Sequence, residues 1–171
     1  MFALEDLVVY PTHGVGIVDR IESQAIGGVE VDFYVMRILG NNITLMVPVN
    51  NAANAGLRNL STQEYCREIL DSLKDRNSFT GYTGQNWNRR YREYSERLKT
   101  GTLADSCHVL KELLLISGEK DLSFGERMLL EQAMNLVTME IACVMENPQE
   151  LIQNDIEAMF EDILTAREKN T

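Results

Sequence analysis

An indole a few residues from three guanidinium groups can meet a base step while its neighbours hold phosphates. One stretch offers this combination: Gln85-Asn-Trp-Asn-Arg-Arg-Tyr-Arg-Glu-Tyr-Ser-Glu-Arg-Leu-Lys99. Trp87 is the sole tryptophan of the chain, and Arg89, Arg90, Arg92, Arg97 and Lys99 against Glu93 and Glu96 give the stretch a charge of +3. The protein as a whole runs the other way, at −10 from 16 basic and 26 acidic side chains. A cationic, aromatic island on an anionic protein implies a local nucleic-acid contact rather than a generally adhesive surface. Helical spacing supplies a second reading. Trp87, Tyr91, Tyr94 and Leu98 fall on one helical face, which assigns Tyr91, Tyr94 and Leu98 to a core. Trp87 stands at the first turn beside the arginines, where a core role and a ligand-facing role fit equally well.

Bond-making chemistry finds no support in the residues. Cys66, Cys107 and Cys143 lack CxxC spacing and sit among apolar neighbours, which reads as reduced, buried thiols in a cytoplasmic protein. His13 and His108 are the only histidines, so no zinc site is expected. His108 lies within an apolar helix and reads as a satisfied core histidine, and His13 sits in a turn beside Gly14. Gly14-Val-Gly16 lacks the following helix and the Lys-Ser/Thr of a phosphate loop. No catalytic residue, cofactor or metal is expected. No run of 18 apolar residues and no basic leader occurs, so neither a membrane span nor an export signal is expected.

The elements that must carry the basic stretch divide into two kinds, giving an α+β fold in two domains, 1–60 and 61–171. Leu7-Val-Val-Tyr10, Ile17 to Glu22, Val29 to Ile38 and Ile43 to Pro48 read as strands. They are separated by Pro11 to Gly16, Gly27-Gly28 and Gly40-Asn-Asn42, as in a small SH3- or Tudor-like β module. A turn centred on Asn41 would place Met36 opposite Met46 on the outer face and Val35 opposite Val47 in the core. Two outward methionines beside Pro48 suit a docking surface for another protein, or a patch covered by the second domain. After Leu60 the pattern is helical, with capping boxes at Ser61-Thr-Gln-Glu64 and Ser123-Phe-Gly-Glu126, and stops at Gly101, Gly118 and Asn147-Pro148. Residues 75–86 read as a loop, the basic helix as Asn86 to Thr100, and the whole as a compact five-helix domain. Residues 140–171 carry 8 acidic and 2 basic groups, so that end should be repelled by nucleic acid.

Asp6-Leu-Val-Val-Tyr-Pro-Thr-His-Gly-Val-Gly16, Met46-Val-Pro-Val49, Gly56-Leu-Arg58, Trp87-Asn-Arg-Arg-Tyr-Arg92 and Leu122-Ser-Phe-Gly-Glu126 together resemble the CarD/CdnL family of bacterial transcription regulators. The first block is also similar to the RNA-polymerase-binding module of transcription-repair coupling factor. The resemblance implies that the β module docks on the RNA polymerase β subunit, with Met46 and Pro48 in the pairing strand and Gln24 and Met36 near it. It further implies that Trp87 wedges into the minor groove of promoter DNA at the upstream edge of the melted region, lengthening the life of the open complex. Arg89, Arg90 and Arg92 match the basic residues beside that wedge, and Arg127 another basic position. With Lys111 added, on the order of 3–5 phosphates would be met, so free DNA should be held weakly and without strong sequence preference. Some relatives carry arginine where this chain has Gln24 and Met46, so a charged polymerase contact is not expected at those two positions. Leu115-Ile-Ser-Gly118 is less basic than in relatives, which shifts the expected DNA contact toward the Trp87 helix. A monomeric, cytoplasmic protein, nucleoid-associated through polymerase, is expected. The alternative is an adaptor that binds polymerase or another protein and never touches DNA.

Overall fold

The computed structural model describes residues 1–77 and 87–169. The chain is α+β and divides into two compact units, Met1–Leu60 and Ser61–Thr171.

The first unit is an antiparallel five-stranded sheet: β1 (Leu7–Tyr10), β2 (Gly14–Ile26), β3 (Val29–Ile38), β4 (Thr44–Pro48) and β5 (Arg58–Asn59), in the order β4-β3-β2-β1-β5. Gly27 and Gly28 both have positive φ, +59° and +82°. They make the two-residue turn whose twist matches its flanking strands, and Ile26 pairs with Val29 across it. Gly16 proves to lie within β2, paired with Val8 and Ile38, and not in the preceding turn. Alternation sends Val8, Val18, Tyr34, Met36 and Val47 to one buried face.

The β3–β4 register differs from the expected one by a residue. Met36 pairs with Leu45 and Val35 with Met46. Asn42 adopts a left-handed conformation (φ 57°), and its N–H reaches the Ile38 carbonyl at 2.9 Å. This closes a loop of four residues, 39–42, rather than one centred on Asn41. A single-residue slip exchanges the faces. Met36 is therefore fully buried and cannot pair with Met46 on the outside.

The second unit contains α1 (Gln63–Ser72), α2 (Trp87–Lys99), α3 (Leu103–Ser117), α4 (Phe124–Met145), α5 (Gln149–Met159) and α6 (Glu161–Lys169). The helix expected over the last stretch is thus two, broken at Phe160. The Phe160 ring is fully buried, Arg76 stacks on it at 5.2 Å, and the Arg76 guanidinium donates to the Met159 carbonyl and to Asp162, both at 2.8 Å. Burying a phenylalanine contributes about 1.5–3 kcal/mol, against roughly 1 kcal/mol for a hydrogen bond lost at the break, so the kink wins.

The first cap also moved. Thr62, not Ser61, caps α1 by accepting from the Tyr65 N–H at 3.1 Å. Ser61 instead donates through N (2.9 Å) and Oγ (2.6 Å) to the buried Glu140 carboxylate of α4, whose burial requires such donors. Ser123 caps α4 in a complete capping box with Glu126. By length and composition α4 could cross a membrane, but half of its apolar window is buried, and α1, α2, α3 and α5 pack against it. Residues 78–86, most of the expected loop together with the expected start of α2, lie outside the described residues.

Candidate interaction surfaces

On the sheet, Gln24, Met46 and Pro48 share one face. The cross-strand rows run Arg20–Val35–Met46, Glu22–Phe33–Pro48 and Gln24–Val31. Gln24 is exposed, Met46 is 42% exposed and Pro48 is half-buried. β4 ends the sheet. The Ile38 N–H donates to the Ile43 carbonyl at 2.9 Å, which fixes the alternation along the pair. Leu45 and Val47 consequently bond inward to β3, while Thr44 and Met46 turn their main-chain groups to the open edge, and Pro48, which has no N–H, ends the row. That edge can accept one further strand.

In the helical unit Trp87 begins α2 and is half-buried. Its ring meets Tyr91 edge-on, with centroids 5.5 Å apart. Both rings lie over the first turn of α4, where a Cβ on Gly125 would stand 3.5 Å from each. Lys120 Nζ lies 6.0 Å from the Trp87 ring centroid. Arg89 and Arg92 are exposed on the outer side of α2, and Arg127 is exposed just past Gly125.

The remaining candidates separate from this group. Arg90 is half-buried, and its charge acts on Tyr94 and Glu112 rather than standing on the solvent face. Lys111 donates to the Ser72 carbonyl at 2.8 Å, at the end of α1. Tyr94 and Leu98 are buried, but Tyr91 is 42% exposed and is not a core residue.

His108 also departs from the core reading: it is partly exposed and sits 3.3 Å from Glu112, one helical turn on. The hydrogen bond from His108, with Tyr94 beside it, holds Glu112 below the usual carboxylate range against its burial. Burial, aided by Glu112, pushes the Tyr94 phenol well above its usual range. Burial likewise pushes the Cys107 thiol up to about 11, so it stays protonated and is a poor nucleophile. Among the described residues no three metal-ligating side chains converge.

Sequence reasoning missed three features. Lys120 stands over the indole; Phe124 (73% exposed) and Met128 join Tyr91 and Gly125 around an open hollow; and Arg76 latches the Phe160 kink. Lys120 alone had a readable signal. A capping box that buries Glu126 calls for a cation nearby, and Lys120 is the nearest in sequence before it.

An open-edged sheet and a helical unit presenting a tryptophan among arginines give the protein two candidate binding surfaces. Two family descriptions match it in chain order: the CarD-like/TRCF RID domain over residues 2–61 and the CarD C-terminal domain over residues 68–157. The chain belongs to the CarD family. It is a transcription regulator that interacts with RNA polymerase, it is not an enzyme, and membership places it in the cytoplasm. It is also similar to "Putative transcription factor YdeB" of Bacillus subtilis (strain 168), with 26% identity over 144 residues, 84% of this chain and 92% of that protein.

Proposed function

We propose that the protein docks as a monomer on the polymerase β subunit by strand pairing along β4. Trp87 then meets promoter DNA in the minor groove at the upstream edge of the melted region and prolongs the open complex. The observation that carries this reading is Trp87 itself. It is half-exposed at the first turn of α2, supported by Tyr91 and Gly125, with Arg89 and Arg92 free toward solvent.

Wedging a ring into a base step costs a few kcal/mol of unstacking, least where the duplex is already opening. The exposed arginines position the ring through phosphates without reading sequence. So few cations on a −10 protein hold free DNA weakly. Polymerase tethering raises the local concentration to about the millimolar range and makes a weak contact count, and the same tether accounts for nucleoid association. Thermal melting and promoter-complex decay of Trp87→Ala test this: near-native docking with faster decay is expected. Unchanged decay with intact docking would favour the adaptor reading, in which the exposed Phe124 and Met128 serve protein contact and DNA is not touched.

A further inference from the structure

Lys120 occupies the turn between α3 and α4, and its backbone is fixed there by a hydrogen bond from its N–H to the Ile116 carbonyl at 3.1 Å. Its ammonium donates to Glu126 Oε1 at 2.6 Å. Glu126 is fully buried, and the same oxygen accepts from the Ser123 N–H at 2.9 Å. Glu126 Oε2 is buried with no hydrogen-bond partner among the described residues. A carboxylate so buried leans on its ion pair, because removing the cation would strand a desolvated charge. The ammonium is thereby pinned, and from that point it stands 6.0 Å from the centre of the Trp87 ring, within reach of a cation–π contact. Tyr91 at the edge and Gly125 beneath complete three supports around the indole.

We propose that Lys120 is a positioning residue for Trp87: anchored by Glu126, its ammonium stands over the indole and sets the angle at which the ring projects from α2. The inference deepens the reading of Trp87 as the DNA-contacting side chain and rests on it for its consequence in transcription. The geometry itself is independent of that reading. The capping box of α4 thus has a second task, since the carboxylate that caps the helix also holds the cation that holds the ring.

Trp87 is the sole tryptophan, so the fluorescence of the full chain reports this ring directly. Three variants separate charge from structure. Lys120→Arg keeps both the ion pair and the cation. Lys120→Gln keeps a donor for Glu126 but places no charge over the indole. Lys120→Met with Glu126→Gln removes the pair together, leaving no stranded charge. Expected for Lys120→Arg are wild-type anisotropy decay and acrylamide quenching. For both neutral variants, faster ring motion and a quenching constant raised roughly two- to fivefold are expected, as for loss of a contact of cation–π strength. Their open-complex half-lives should fall toward that of Trp87→Ala.

Unchanged anisotropy and quenching in the folded neutral variants overturns the proposal. So does a mobilised ring with a wild-type half-life while Trp87→Ala shortens it. If Trp87→Ala leaves the half-life unchanged, the DNA reading fails instead, and the fluorescence result alone decides whether Lys120 positions the ring.

Discussion

The sheet and the helical unit present their unmet bonding capacity in different currencies. Along β4 it is main chain: Thr44 and Met46 face the open edge whatever their side chains are. At the start of α2 it is side chain: an indole and exposed guanidiniums. A main-chain surface tolerates changes of residue type that bury no unpaired charge, so the neutral Gln24 and Met46 are compatible with the proposed strand pairing. A side-chain surface has no such tolerance, and each of its groups needs support from its neighbours.

The sharpest way to break this contrast is Met46→Asp. If β4 pairs with polymerase, the change leaves the outward N–H in place but buries an uncompensated charge, costing about 3–5 kcal/mol, a hundredfold or more in affinity. Titration against the β subunit checks it, with the melting curve unchanged. Equal affinity would remove β4 as the docking edge. On the other surface, Trp87→Ala should shorten the open-complex half-life roughly tenfold, equivalent to about 1.4 kcal/mol. Because the ring is only half-buried, the stability cost should be about 1–2 kcal/mol, well below the 3–5 of a core aromatic. In a chain of this size that lowers the melting temperature by only several degrees.

Acid should act on the helical unit by way of its depressed carboxylates. Hydrogen bonds from Thr100 and Thr102, with Arg97 close by, lower Asp105; His108 and Tyr94 lower Glu112. At Glu126 burial opposes ionisation, but the bonds from Lys120 and Ser123 outweigh it. A carboxylate whose folded pKa lies below its unfolded value contributes stability above the ordinary range near pH 4, lost as pH falls through the lowered value. Helical ellipticity should therefore melt at progressively lower temperature as pH drops from about 5 to 3. A flat profile would mean that these contacts contribute little.

The smallest effect concerns salt. With Arg89, Arg92 and Arg127 exposed, a logarithmic plot of duplex-DNA affinity against salt should have a slope of only about −3, and Lys111→Ala should leave it unchanged. A slope steeper by one in the wild type than in Lys111→Ala would return Lys111 to the phosphate contacts.

Features set by local chemistry were legible in the sequence. The Ser123–Glu126 box, Gly118 at the end of α3, and the Gly27-Gly28 turn each depend on a few adjacent residues, and each sits where the pattern put it. What failed depended on partners far along the chain. Glu140, 79 residues away, draws Ser61 out of the capping role, and Arg76, 86 residues from Asp162, holds the break at Phe160. The Met36 error arose from a loop length set by one left-handed asparagine. For the site, residue types located Trp87 but not its surroundings. Arg90 and Tyr91 are neighbours in sequence, yet one is drawn toward Glu112 and the other left open to solvent.

An unpaired strand edge recruits without discrimination, and another copy of the same chain is the nearest candidate at high concentration. Pro48 answers that hazard at the end of β4. Lacking an N–H, it stops a growing ladder after the two residues that face outward before it, Thr44 and Met46. A ladder so short contributes little to holding two copies together, whereas a polymerase docked as proposed would add side-chain contacts on the Gln24–Met46 face. The proline thus separates recruitment from aggregation.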